Sequence, residues 1–470
     1  MHTELDALHQ SLPDSPWVQI QAHRVAGAIK LTRLDRLPEP QNLRRLKGAI
    51  RDRWGTVPLI DILKEAALRT DILETLTPAG RGNLPDDVLV ERLLLCIYAY
   101  GTNSGLRTVA AGEHGHTETE LRYVARRYLT TTGLKAAATT IADATFAARH
   151  QAIWGDGTTT VASDSTHFSA YDRNIFTEWH SRYGGRGVLV YWSVDSGAMA
   201  IHSQLITCTA SEVAAMIEGV MRHGTTMRVE GNYVDTHGQS EIGFGITRLL
   251  GFDLLPRIKQ INHVKLYRPD AGNTNAWPRL EPALTRGIRW DLIENNYDML
   301  VKYATAIRVG TASTEAILRR FTRNASHPVY QGMLELGRAQ KTIFVARYLR
   351  DRKLQREINT GLNVVEAWNG VNDIIFFGKS GELASNRRDQ QEFAVLSLYV
   401  LQAALVYVNT LMVQGQLKEP DWADALTVED RRGLTPLFTS NMTPYGEIRL
   451  NMNTRLDLTT QEDSANTSDA

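Results

Sequence analysis

The stretch Thr158-Thr159-Thr160-Val161-Ala162-Ser163-Asp164-Ser165-Thr166 decides how the chain reads. It is rich in β-branched residues and follows the break Gly155-Asp156-Gly157, where a helical period gives way to an extended one. Downstream, Gly187 to Val194 reads as a second strand entered through the turn Gly184-Gly185-Arg186-Gly187. Ala198 to Cys208 reads as a third, after the turn Asp195-Ser196-Gly197. Ser211 to Met221 has the pattern of a helix, Met227 to Val234 of a fourth strand, Ser240 to Leu250 of a helix closed by Gly251, and Phe252 to Ile258 of a fifth strand. Three strands, helix, strand, helix, strand is a meander followed by crossovers, which makes a mixed α/β sheet with helices on its faces. In such a sheet the first and fourth strands are expected to be neighbours.

Upstream, residues 1–150 read as a mainly helical region, with apolar residues at helical spacing through Leu89–Leu95 and Thr139–Arg149. Residues 151–268 form the first part of the core. Residues 269–360 look helical, with no obvious strand, and read as an insertion; 361–455 supply closing helices, and 456–470 are a polar, acidic, disordered tail. Arg338, Lys341, Arg347, Arg350, Arg352, Lys353 and Arg356 make the end of the insertion basic, either a solvated face or one that follows phosphates. Phe393 to Met412 holds no charged residue and is long enough to cross a membrane. Ser397, Gln402, Asn409 and Thr410 interrupt it, so a buried core helix and no membrane partner are expected.

The 470 residues, 43% hydrophobic and 22% charged, suit several folded domains rather than a disordered chain. Lys+Arg and Asp+Glu are both 52, which excludes a polyanion-coating protein of histone type. Cys96 and Cys208, in unrelated contexts, exclude a disulfide framework or a cysteine zinc site and fit a reducing compartment. The polar start Met1-His2-Thr3-Glu4-Leu5-Asp6 lacks the plan of a signal peptide, so a cytoplasmic location is expected.

Asp164 lies inside an apolar strand, where a charge is costly unless it is paired or holds a metal. Asp235 ends the fourth strand in Tyr233-Val234-Asp235-Thr236-His237-Gly238, and Glu366 stands in the candidate helix Leu362-Asn363-Val364-Val365-Glu366-Ala367-Trp368-Asn369. Three carboxylates offer the hard ligands that a pair of Mg²⁺ ions needs for in-line phosphoryl displacement. Spacing alone leaves Asp195, Glu241 and Asp253 as rivals, and an acid taken singly is more often a turn or cap residue. Gly378-Lys379-Ser380 is not a phosphate loop, because Asp373 stands where its first glycine belongs.

The segment Asp235-Thr236-His237-Gly238-Gln239-Ser240-Glu241, with Leu249-Leu250-Gly251-Phe252 and Pro256-Arg257-Ile258, resembles the middle block of the Tn-three family of replicative DNA transposases. Trp154-Gly155-Asp156-Gly157 leading to Ser163-Asp164 resembles its first block. Leu362-Asn363 with Glu366 and Asn369, then Phe376-Phe377-Gly378-Lys379-Ser380-Gly381-Glu382-Leu383, resembles its third. The resemblance implies an RNase-H-like mixed sheet with a helical insertion between the second and third catalytic acids, flanked by an N-terminal helical region. It implies Asp164, Asp235 and Glu366 as catalytic and metal-binding residues, two Mg ions with Mn as substitute, and transposon-end and target DNA as partners. A homodimer acting on paired ends and association with the bacterial nucleoid follow from the same likeness. His237, Lys379, Arg387 and Arg388 are the candidates for DNA contact; a local hydrogen bond for His237 and a solvated helix start for the arginines are the alternatives. Two departures stand out: Ser165-Thr166-His167 replaces the family's Gly-Gln-Arg, and Val364-Val365 replaces Lys-Gly. Family members are about twice this long and carry an end-recognising half, so weak, poorly sequence-specific activity is expected. The other readings are a folded but inactive transposase remnant and an unrelated two-metal nuclease.

Overall fold

Helices occupy most of the N-terminal region because apolar residues there recur every third or fourth position. The computed structural model describes residues 1–22, 27–76, 84–171, 173–175, 177–235, 238–272, 275–422 and 425–458. The principal helices of this region are α1 (Leu43–Trp54), α2 (Leu59–Thr70), α3 (Asp86–Gly101), α4 (Glu118–Tyr128) and α5 (Thr131–Ala148). At α4, Thr117 and Glu120 form a reciprocal capping box. Short ribbons also occur: Val18–Ile20 pairs antiparallel with Ile29–Leu31, and Val57–Pro58 pairs with Met442–Thr443.

The main sheet contains β1 (Thr160–Ser169), β2 (Glu178–His180), β3 (Gly185–Asp195), β4 (Ala200–Ile206), β5 (Gly231–Val234) and β6 (Asp253–Pro256). β3 lies between β1 and an edge shared by β2 and β4; on the other side, β1, β5 and β6 run parallel in that order. The expected adjacency of the first and fourth long strands is therefore present, with Ser163 opposite Val234. Helix α6 (Glu212–Met221) follows β4, and α7 (Glu241–Leu250) links β5 to β6, capped by Ser240 and stopped by left-handed Gly251.

Helices α8 (Tyr297–Val309), α9 (Thr314–Arg323) and α10 (Pro328–Arg350) follow. α10 packs along α7, with Phe344 against Phe244. The stretch expected to lack strands contains one: Leu284–Gly287 pairs in parallel with Leu266–Arg268. Both are too short to show an alternating pattern. Helix α11 (Arg352–Ile375) carries Glu366 and starts eight residues before position 360, so the expected boundary at 360/361 falls within one continuous helix.

Helix α12 (Arg388–Leu417) is the apolar segment, and 94% of its most apolar window is buried. Three of the four polar residues that interrupt it donate inside the fold, and the buried Ser397 hydroxyl does not. Gln402 donates to the Trp368 carbonyl (3.1 Å), Asn409 to those of Pro436 and Phe438 (2.8 and 2.9 Å), and Thr410 to that of Val406 (2.7 Å). α12 runs against α5, α3 and α2. At Gly101 a β-carbon would stand 2.5 Å from Leu401 Cδ1, so α3 and α12 approach closely only because that carbon is missing.

Alternate residues of a strand face opposite sides of the sheet. Asp164 lies opposite Trp192 on β3, and Trp192 packs on Trp368 of α11 and Tyr399 of α12. Ser163 and Ser193, one position over, meet each other at 3.0 Å, with Gly219 of α6 above them. Helices α11 and α12 thus cover one face and α6 the other. Gly361 sets the crossing of α11 over the sheet, since a β-carbon there would lie 2.5 Å from the Tyr233 ring.

Candidate active site

β1 and β5 pair in parallel up to Ser163 and Val234, so the next residues, Asp164 and Asp235, leave neighbouring backbones about 4.8 Å apart. Asp164 is on the face covered by α11. There Asn369, one turn after Glu366, donates from Nδ2 to Asp164 Oδ2 at 3.4 Å. Arg257, just beyond β6, joins the other two acids: its Nη2 is 3.0 Å from Asp235 Oδ1 and 3.8 Å from Glu366 Oε1. Lys259 Nζ lies 3.2 Å from Asp235 Oδ2.

Burial raises the Asp164 carboxyl from its ordinary 3.8 to about 6, against the lowering effect of the Ser165 backbone N–H. The negative charges of Glu212, Asp235 and Glu366 contribute smaller parts of the same rise. Glu212, in the first turn of α6, accepts from Ser165 Oγ at 3.0 Å. Carboxylates from three other segments therefore act on Asp164. That donor set is all oxygen and fits a hard divalent cation such as Mg²⁺. Among the described residues, no three acidic, histidine or cysteine side chains stand at mutual coordinating distance; Asp235 and Glu366 are paired with Arg257 instead.

Of the nominated DNA contacts, Lys379, Arg387 and Arg388 stand apart from these acids. His237 is outside the described residues. Lys379 sits in the turn Gly378–Gly381 with left-handed φ +53°, at the carbonyl end of α11, whose partial charge repels phosphate. Asn103 pins that turn by donating to the Gly378 and Glu382 carbonyls. Leu383 pairs with Ala170 at the far end of β1 from Asp164. Arg387 and Arg388 are exposed and pair with Asp389 (2.7 Å) and Glu392 (3.3 Å), as a solvated helix start requires. Several of the basic residues at the end of the insertion are spent on partners within the fold. Arg338 pairs with Glu241 and Glu335, Lys341 donates to the Gln239 carbonyl, and Arg350 pairs with Glu4.

Of the residues that depart from the family pattern, Ser165 meets the carboxylates, through Glu212 and the Asp164 carboxyl, while His167 and Val365 turn away from them. His167 faces the α6 side, stacked on Tyr183 at 4.2 Å, and burial lowers its pKa. Val365 is fully buried in the core. Arg257, Lys259 and Glu212 were not singled out from sequence. The available signal for the first two was position, since ligands gather beyond the carboxyl ends of parallel strands. Glu212 looked like an ordinary first-turn acid after the cap Ser211.

Fold and site together define a mixed-sheet α/β domain whose acids gather where the parallel pairing of β1 with β5 ends. The family model described as "Tn3 transposase DDE domain" matches residues 61–448. The chain is 26% identical over 427 residues to the transposase for transposon Tn1546 of Enterococcus faecium, covering 90% of this chain and 43% of that protein. It is 28% identical to the transposase for transposon Tn501 of Pseudomonas aeruginosa (68% and 33%), and 25% identical to that for transposon gamma-delta of Escherichia coli K12 (89% and 42%). The chain belongs to the Tn3 transposase DDE domain family, a family of enzymes acting on DNA, and it spans less than half the length of these relatives.

Proposed function

We propose that this chain is the catalytic portion of a DNA transposase that cleaves DNA at transposon ends and joins the released end to target DNA. Asp164, Asp235 and Glu366 hold two Mg²⁺ ions in this reading, with Mn²⁺ as a working substitute. The observation that carries it is the meeting of three acids from distant segments, Asp164 beside Asp235 by strand register and Glu366 joined to Asp235 through Arg257. The strand order, with β1 central and antiparallel to β3 but parallel to β5, supports an RNase-H-like sheet, and helices α8–α10 are its insertion.

Magnesium, when bound, stabilises the attacking and leaving oxygens of an in-line phosphoryl displacement. The chain supplies the frame. β1 and β5 fix two carboxylates side by side, α11 brings the third across the sheet, and Asn369 orients Asp164. Water attacks the phosphorus at the transposon end, the bond to the 3′-oxygen breaks, and a 3′-hydroxyl is released. That hydroxyl then attacks a phosphodiester of the target, displacing a target 3′-hydroxyl. No protein–DNA bond forms, so no serine or tyrosine nucleophile is required. Two ends cut together call for a homodimer, and the working place is DNA of the bacterial nucleoid.

The test is a strand-transfer assay with pre-nicked end DNA presenting a 3′-hydroxyl, a labelled target and Mg²⁺. Joined product supports the reading. Hydrolysis alone favours a two-metal nuclease. DNA binding with neither product, by a folded chain, favours an inactive transposase.

A further inference from the structure

Arg257 and Lys259 are one and three residues past the end of β6, and both side chains reach the carboxylate of Asp235, the residue that follows β5. The backbone is held there by Arg257 N–H donating to the Val234 carbonyl at 2.9 Å. Arg257 then places Nε and Nη2 3.2 and 3.0 Å from Asp235 Oδ1. Lys259 takes Oδ2 of the same carboxylate. Both oxygens of Asp235 are thus engaged by cations, and the Arg257 guanidinium also reaches Glu366. Two unit positive charges stand among carboxylates that together suit a divalent ion. The cluster is open to its surroundings: Lys259 is 57% exposed and Glu366 55%.

We infer that Arg257 and Lys259 are exchangeable counter-ions, neutralising Asp235 and Glu366 in the free chain and passing to DNA phosphates when substrate docks. The inference rests on the metal-site reading above. A metal approaching the free chain meets carboxylate oxygens already satisfied and two like charges beside them. A DNA backbone offers both side chains a new anion; arginine suits it through its planar fork and lysine as a mobile point charge. Their departure removes two positive charges from beside Asp235 and Glu366, which a divalent cation replaces. Metal and DNA therefore bind cooperatively, and by linkage each raises the affinity of the other by the same factor. A site of this design stays poorly loaded until a phosphodiester is in place.

The test measures Mn²⁺ binding to the whole chain from the spin-resonance signal of free Mn²⁺, with and without a short DNA duplex. Asp235→Asn with the same duplex serves as the blank for metal held by DNA, and circular dichroism checks each variant's fold. DNA should tighten the Asp235-dependent binding by about tenfold or more. Arg257→Gln and, as an exposed-loop alternative that spares the packing, Lys259→Gln should bind Mn²⁺ about fivefold more tightly than wild type without DNA, and gain less from DNA. Equal affinity with and without DNA, or folded variants no tighter than wild type, would overturn the inference and leave the metal site standing. Absence of Asp235-dependent binding in wild type and both variants would overturn the metal site, and the inference with it.

Discussion

Replacing Asp164 with asparagine should make the metal-free chain more stable at neutral pH. Asp164 has a pKa of about 6 in the fold against an ordinary 3.8, because it is buried and faced by Glu212, Asp235 and Glu366. Its folded-state pKa is raised, so between these values the folded chain binds the proton more strongly than the unfolded chain. Stability from this group therefore falls as pH rises from about 4 to about 6 and stays low above that. A rise of about two units corresponds to roughly 3 kcal/mol as a ceiling. Asparagine keeps the shape without the charge, so Asp164→Asn should gain about 1–3 kcal/mol at pH 8 and almost nothing near pH 4. Urea unfolding in chelator, across that pH range and with unchanged denaturant slope, measures this. Added Mg²⁺ should narrow the gap by stabilising the wild type. A variant less stable than wild type at pH 8, or a difference independent of pH, would refute the electrostatic account of Asp164.

Other outcomes follow from packing and pairing. Leu401 is fully buried at the crossing of α3 and α12, so Leu401→Ala should cost about 2–5 kcal/mol by chemical denaturation. Gly361→Ala should push α11 off Tyr233, costing about 1–3 kcal/mol and lowering DNA cleavage more than DNA binding. Its control, Gly370→Ala in the same helix, has open space and should stabilise by up to about 1 kcal/mol. Glu335 is buried beneath Arg286 and Arg338, whose hydrogen bonds help hold its pKa low against the raising effect of burial, so its stabilisation is present above the ordinary glutamate value and lost as pH falls through the lowered one. Glu335→Ala should cost about 3 kcal/mol at pH 7, the low end for a broken buried pair because Arg286 is half exposed, with the loss shrinking in acid.

Long strands and their order were legible because β-branched residues and turns mark them, and adjacency of β1 with β5 put Asp164 beside Asp235. The short strands Glu178–His180 and Leu284–Gly287 were not, since three or four residues hold no period and pairing comes from distant chain. The fourth strand read from Met227 begins only at Gly231: residues 227–230 alternate in exposure but lie outside the paired β5 segment. The apolar helix was legible in burial, while the partners of its polar residues were not, because Gln402 and Asn409 bond to backbone far along the chain. The counter-ions Arg257 and Lys259 escaped notice for the same reason. Their role depends on strand register, whereas Lys379, Arg387 and Arg388 stood out only as basic residues in a suggestive run.

Cleavage of labelled DNA by the wild type, Asp164→Asn, Asp235→Asn and Glu366→Gln, with bound fraction followed in parallel, tests the central claim most directly. Neutral amides bind Mg²⁺ poorly, so each substitution should abolish cleavage while DNA binding holds or strengthens as repulsion with phosphate falls. Mn²⁺ should support cutting by the wild type, and Ca²⁺ binding alone. Metal-dependent cleavage that survives any one of the three substitutions, in a folded protein, would contradict the assignment of Asp164, Asp235 and Glu366 as the catalytic acids.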